Sequence, residues 1–196
     1  EDGSGSTTLS GSDIDSTDLT YTILGGTEIT ATVDESTVSF TSSQDFNGSE
    51  SFTATVTDGE FTSSQAFTVT VNAVNDQPTA DAASGTVAED GSVVVTLSGS
   101  DIDGDNLTFS LASDATSGSV TVQGSQATYT PSANYNGSDS FTFTASDGEL
   151  SATATVTLTV TAVNDAPALA AVSTVTFDED GSTSITLSGS DIDSTD

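Results

Sequence analysis

From Ala152 to Ala162 the chain reads ATATVTLTVTA. Ala152, Ala154, Val156, Leu158, Val160 and Ala162 share one face, and Thr153, Thr155, Thr157, Thr159 and Thr161 share the other. Period two marks a strand with one side against a core and the other in water. FTFTA from Phe141 and FTATV from Phe52 alternate in the same way. Across the stretch around them the pattern predicts seven strands, at 83–89, 92–98, 106–111, 117–122, 125–130, 139–146 and 150–162. Clusters of Gly, Asp, Asn and Ser separate these runs, and no helical spacing of apolar residues occurs. The expected fold is all-β: an immunoglobulin-like, seven-stranded Greek-key sandwich.

The pattern repeats. EDGS occurs at Glu1, Glu89 and Glu179, and LSGSDID at Leu9, Leu97 and Leu187. AVND occurs at Ala73 and Ala162, Asn-Gly-Ser at Asn47 and Asn136, and Asp-Gly-Glu at Asp58 and Asp147. These offsets of 88 to 90 residues are the size of a domain, so the expectation is a linear array of sandwiches, not a solenoid of small units. The divisions expected are 1–76, a repeat lacking its first strand; 77–165, a complete repeat; and 166–196, the opening strands of a third.

Charge sharpens this picture. The 196 residues hold 30 Asp and Glu, no Lys, Arg or His, and a formal charge of −30. Such a surface repels nucleic acid and anionic lipid. No run is apolar enough to insert in a membrane. Without Cys there is neither a disulfide nor a thiolate metal site, and a thin core then calls for another staple. With no His, Lys or Cys as base or nucleophile, catalysis has little support. Paired carboxylates can hydrolyse glycosides, but acids copied into every repeat suit structure better than turnover, so no enzymatic activity is expected.

The acids are clustered, which is costly unless they are solvated, protonated or bound to a cation. Loops of a seven-stranded sandwich alternate between its two ends. On that scheme EDGS, the Asn-Gly-Ser loop and the Val-Asn-Asp exit lie at the bottom of one repeat, and the DID and DGE loops at the top of the next. The first junction would collect Glu1, Asp2, Glu50, Asn75, Asp76, Asp101, Asp103, Asp105, Asp147 and Glu149. The second would collect Glu89, Asp90, Asp139, Asn164, Asp165, Asp191, Asp193 and Asp196. Asp13, Asp15 and Asp18 form the matching Asp loop of the first repeat, with Thr17 at its fifth position. Carboxylates at i, i+2 and i+4 of a curled loop suit Ca²⁺, which takes six to eight hard oxygen ligands; Mg²⁺ prefers fewer, and Zn²⁺ favours His or Cys. Against this stand plainer readings: a solvated acidic loop, an Asn-Asp turn before Pro, and, for Asp58-Gly59 and Asp147-Gly148, a type I′ hairpin.

The linkers VNDQP and VNDAP, the EDGS and LSGSDIDGDNLTFSL blocks, and YNGSDSFTFTASDGE together resemble the cadherin-like (VCBS-type) tandem repeats of giant bacterial extracellular adhesins. The resemblance implies a calcium-stabilised stalk or fibre segment, extracellular or at the cell surface. It further implies that Glu89, Asp139, Asn164, Asp165, Asp191 and Asp193 take the parts that ligate Ca²⁺ at cadherin junctions. The expected partners are neighbouring repeats and other copies in a fibre, with any surface ligand carried elsewhere. The alternatives are repeats that bind a glycan or cell surface directly, or that assemble laterally through exposed edges.

Overall fold

The computed structural model describes Glu1 and residues 3–193, which divide into two compact units, 1–75 and 76 onward. The first contains β1 (Ser4–Thr8), β2 (Thr20–Gly25), β3 (Ile29–Asp34), β4 (Thr37–Ser42), β5 (Gly48–Thr57) and β6 (Thr62–Val71). They form two three-stranded antiparallel sheets, β1-β4-β3 and β2-β5-β6. Ile29, Val38 and Phe40 from one sheet meet Phe52 from the other in the core. Phe40 sets its edge on Phe52 at 5.5 Å between centroids, and Phe52 stacks on Phe67 at 5.9 Å. Offset and edge-on rings of this kind add to simple burial.

The second unit contains β7 (Thr79–Ala80), β8 (Ala83–Ala88), β9 (Val93–Thr96), β10 (Gly99–Ser100), β11 (Thr108–Ser113), β12 (Gly118–Gln123), β13 (Gln126–Pro131), β14 (Gly137–Ser146), β15 (Ser151–Thr161), β16 (Ala168–Leu169) and β17 (Gly189–Ser190). A four-stranded sheet, β11-β14-β15-β8, faces a three-stranded one, β12-β13-β9. Between them lie Tyr129, Phe141, Phe143, Val156 and Leu158, each at most 2% exposed. Val156, Leu158 and Val160 are the inward residues that the alternation of β15 predicts, and the outward Thr row is exposed. The chain is thus two tandem Ig- or cadherin-like sandwiches.

Alternation alone did not reveal the handling of the opening strand. The chain first pairs Thr79–Ala80 antiparallel with Gly99–Ser100. It then crosses to the other sheet, where Ala83–Ala88 runs parallel to Val156–Thr161. The opening strand thus adds first to β10 and then to the edge of β15. Beyond β15, the regular structure among the described residues is the short β16–β17 pair. Val172, Val175 and Phe177 there are 52%, 41% and 65% exposed.

Gly118 marks one close approach. A Cβ on it would lie 2.4 Å from the Tyr129 ring and 2.6 Å from the Thr130 carbonyl oxygen. Since backbone cannot yield as a side-chain tip can, Gly118→Ala should cost the second unit about 2 kcal/mol. Urea unfolding should show it, with Gly124→Ala, where a Cβ meets open space at a φ of +58°, as a control for backbone strain alone.

Candidate metal site

The acids around the exit of β15 can be built up residue by residue. Glu89 follows β8 and is 3% exposed, the one buried charged side chain among the described residues. Its backbone N–H donates to the Thr161 carbonyl at 2.9 Å, and its Oε1 accepts from the Val163 N–H at 2.6 Å. Glu89 therefore fixes the path of the linker. Asp90 takes the left-handed conformation, φ 63°, in the turn closed by Gly91 N–H on the Ala88 carbonyl. That is a turn position Asp tolerates better than most residues.

The β16–β17 pair aligns Ala168 with Ser190 and so lays the last Asp loop beside the linker. Asp165 N–H donates to Asp193 Oδ2, Asp193 N–H donates to Asp191 Oδ1 at 3.0 Å, and the Asn164 side-chain amide donates to the Asp165 carbonyl at 2.9 Å. Asp165 Oδ2 is buried without a hydrogen-bond partner. Burial first, then the charges of Asp193, Asp90, Glu89 and Asp191, push the Asp165 carboxyl above its ordinary value. Burial and like charge both disfavour the ionised form of an acid so placed.

The same geometry recurs where the second unit begins. The β7–β10 pair carries Asp101–Asp105 alongside Asp76, whose N–H donates to Asp103 Oδ2 at 2.8 Å. Asp101 Oδ1 accepts from Asp103 N–H at 2.9 Å and from Asp105 N–H at 3.5 Å, while Asp101 Oδ2 is buried without a partner. Gly104, at φ 81°, makes the curl. The middle residue of each DID faces water: Ile14, Ile102 and Ile192 are 105%, 65% and 60% exposed.

In the first unit, Asp13 Oδ1 accepts from Asp15 N–H and Ser16 N–H, each at 3.0 Å. Those bonds, with Asp15 the largest contributor, hold its carboxyl below the ordinary value. Asp15 and Asp18 are exposed, and Asn75 is half-buried. Glu1 Oε2 accepts from the Asn47 side chain at 3.4 Å. Asp2 and Asp196, also expected as ligands, lie outside the described residues.

Two expected ligands have a different occupation. Glu50 accepts from the N–H groups of Thr27, Glu28 and Ile29 and from the Thr27 hydroxyl. Asp139 accepts from Thr116, Ser117 and Ser140 N–H and from the Tyr129 hydroxyl. Both carboxylates staple a loop of their own sandwich, and strand alternation turned them there rather than toward the linker. Sequence spacing could not separate the two uses. The only signal was Tyr129 standing where the first repeat has Phe40, a hydroxyl in need of an acceptor. The DGE loops also differ from expectation. Asp58 Oδ1 caps the N–H groups of Glu60 and Phe61, and Asp147 Oδ1 those of Glu149 and Leu150. Only the glycines, Gly59 and Gly148, take positive φ there, which excludes type I′.

Backbone hydrogen bonds from Glu28, then the Thr27 hydroxyl and N–H, hold the Glu50 carboxyl down at about 2 against an ordinary value of 4.5. A folded-state value below the unfolded one stabilises above the unfolded value and loses that stabilisation as pH falls. The first unit should therefore lose melting temperature as pH falls from 4.5 toward 2, and Glu50→Gln should flatten that part of the profile. An unchanged profile would remove the staple assignment.

Around Asp165 and Asp101 every donor is oxygen, the coordination set of a hard cation and not of Zn²⁺ or Cu²⁺. The orphaned Oδ2 atoms of both fit such an ion. The bacterial Ig domain family matches residues 1–72 and 75–159. Among solved structures, two of human protocadherin-24 EC1-2 are similar. One has a TM-score of 0.57 at 17% identity over 82% of this chain and 88% of that chain. The other has a TM-score of 0.52 at 14% identity over 80% of this chain and 88% of that chain. At these identities the likeness shows the fold. An endo-fucoidan hydrolase of glycoside hydrolase family 107 aligns at 24% identity and a TM-score of 0.39, and the chain spans 26% of that enzyme's length. No curated protein matches the chain.

Proposed function

The chain belongs to the bacterial Ig-domain family, and from that premise we propose that it is a calcium-stabilised stalk segment of a large secreted adhesin. The observation that carries this reading is Asp165. Its buried, partnerless Oδ2 is surrounded by carboxylates that raise its proton affinity, in a chain with no cationic side chain. Ca²⁺ would be held by Asp165, Asp191, Asp193 and Glu89. When bound it supplies the positive charge that lets these groups stay ionised together. Asp76, Asp101 and Asp103 stand where Asp165, Asp191 and Asp193 stand, with Asp105 following in the same loop, so the same use is proposed there.

The chain's own residues do the rest. Glu89 anchors the linker through Val163 N–H, and Asp165 N–H ties it to the following Asp loop. Neutralising the site would stiffen the passage from one repeat to the next, which is the service a stalk needs. Extracellular modules bind Ca²⁺ at about 10⁻⁴ to 10⁻³ M, so the segment would be stiff outside the cell and loose inside. Its partners on this reading are adjoining repeats, and its role is structural, without catalysis.

Titration calorimetry of the chelated chain with CaCl₂ tests the site. Binding near those concentrations is expected, with MgCl₂ weaker. Heats indistinguishable from dilution would end the calcium reading. Small-angle scattering with and without Ca²⁺ tests the stiffening, which should lengthen the maximum dimension.

A further inference from the structure

The two linkers differ at one residue beside the acids. VNDQP places Gln77 after Asp76, and VNDAP places Ala166 after Asp165. Gln77 uses its side chain: Nε2 donates to the Ser151 carbonyl at 2.7 Å. Alanine has no side-chain donor, so the bond is open to the first linker and closed to the second. Gln77 and Ser151 both belong to the second unit, and the bond lies within that sandwich.

Both ends of the bond are held. Ser151 opens β15 and pairs with Ser146 of β14. The turn between them is closed by its own side chains. Ser146 Oγ accepts from Gly148 N–H at 3.1 Å and donates to the Leu150 carbonyl at 2.9 Å, while Asp147 Oδ1 caps Glu149 and Leu150. The Ser151 carbonyl is therefore a firm anchor. On the linker side Pro78 is buried, and a residue ahead of proline is confined to extended backbone. Thr79 then pairs with Ser100, their hydroxyl oxygens 2.8 Å apart. On the other side of Gln77, Asp76 N–H donates to Asp103 Oδ2 at 2.8 Å. Asp76 and Thr79 thus fasten the linker to the Asp loop and its strand, and Gln77 between them fastens it to the β14–β15 turn.

We propose that Gln77 is a positioning residue for the Asp76, Asp101 and Asp103 site, holding Asp76 against the Asp loop through its bond to the Ser151 carbonyl. This rests on the calcium reading of that loop. Gln77 is not a ligand, because its amide is engaged with Ser151. Groups outside the ligand shell set the direction of the ligands, and a ligand held in place beforehand loses less freedom when the ion binds. The DGE turn of the second unit thereby gains a part. Asp147 is spent on its own turn, yet that turn carries the strand end to which the linker is tied.

Amide exchange with solvent, read by NMR on the chelated chain, tests the clamp without any ion. In Gln77→Ala the Asp76 N–H should exchange about fivefold faster than in the parent, and an unchanged rate overturns the proposal. Titration with CaCl₂, followed at the amides of Asp103 and Gly104, should show binding about fivefold weaker in the same variant. Gln77→Glu separates position from charge. Its carboxylate cannot donate to a carbonyl, so binding should weaken, although an added negative charge by itself would strengthen the hold on a cation. Tighter binding in Gln77→Glu overturns the proposal. The two failures are distinct. Parent amides that ignore CaCl₂ end the calcium reading and the proposal with it. Parent amides that respond, with a Gln77→Ala titration that matches them, end the proposal alone.

Discussion

Asp139→Ala should cost the second sandwich about 3 kcal/mol, measured as a lower urea midpoint at unchanged slope. One carboxylate serves Thr116 N–H at 3.1 Å, Ser117 N–H at 2.9 Å and the Tyr129 hydroxyl at 2.9 Å. Burial pushes the Asp139 carboxyl up, yet the bonds from Ser140, Ser117, Tyr129 and Thr116 together outweigh it and hold the group below its ordinary value. Removing it leaves the hydroxyl of Tyr129, a residue that is 0% exposed, with only the longer 3.4 Å contact to the Ser117 carbonyl, and frees the Thr116 and Ser117 N–H groups. A poorly met buried donor costs more than the bond was worth. Asp139→Asn should lose less, because its amide oxygen can still accept. Tyr129→Phe should lose about 1 kcal/mol alone and almost nothing more when combined with Asp139→Ala. Full additivity of the two would show that they do not share a bond.

The second large effect is a change of sign. Without Ca²⁺, Asp165→Asn should raise the melting temperature of the second unit, because an acid pushed upward by burial and by four neighbouring carboxylates destabilises the fold when ionised. With Ca²⁺ at about 100-fold its dissociation constant, the unaltered chain should gain about 2.7 kcal/mol, and the Asp165→Asn chain should gain little. The two melting curves should therefore cross as Ca²⁺ is added. The pH dependence gives a second check: a carboxyl whose folded value is raised favours the fold at low pH and opposes it as pH rises. The calcium-free parent should then be relatively better off toward acid at this site, with the Asn variant insensitive. Parallel curves at every Ca²⁺ level would leave Asp165 as a solvated acid.

The strands were legible because β15 and β14 alternate without interruption, so the pattern alone places Val156, Leu158, Phe141 and Phe143 inside. Repeated loops located the two Asp clusters for the same reason: identical sequence in identical topology. The sheet switch at β7–β8 was hidden because Thr79–Ala80 is two residues long, too short to alternate, so the pattern began the first strand only at residue 83. Which partner each half takes is decided by edges elsewhere in the chain. The hydrogen-bond partners of Glu50 and Asp139 were not legible because alternation gives a side but not a partner. An acid at a strand's start can face a linker or the N–H groups of a neighbouring loop, and only the loop's backbone conformation chooses.

The parallel run of β8 on β15 has a mechanical corollary. Six consecutive residue pairs, Ala83 with Val156 through Ala88 with Thr161, join the first and last strands of the sandwich, and both point the same way. Tension applied to the flanking linkers pulls these strands past each other along their length. All the rungs between them are then loaded together in shear, where an antiparallel hairpin would be peeled one bond at a time. Resistance to such a pull is set by the unfolding rate, not by equilibrium stability. Thr159→Pro, deleting one N–H from β15 between its two neighbours β14 and β8, should lower the rupture force of this sandwich.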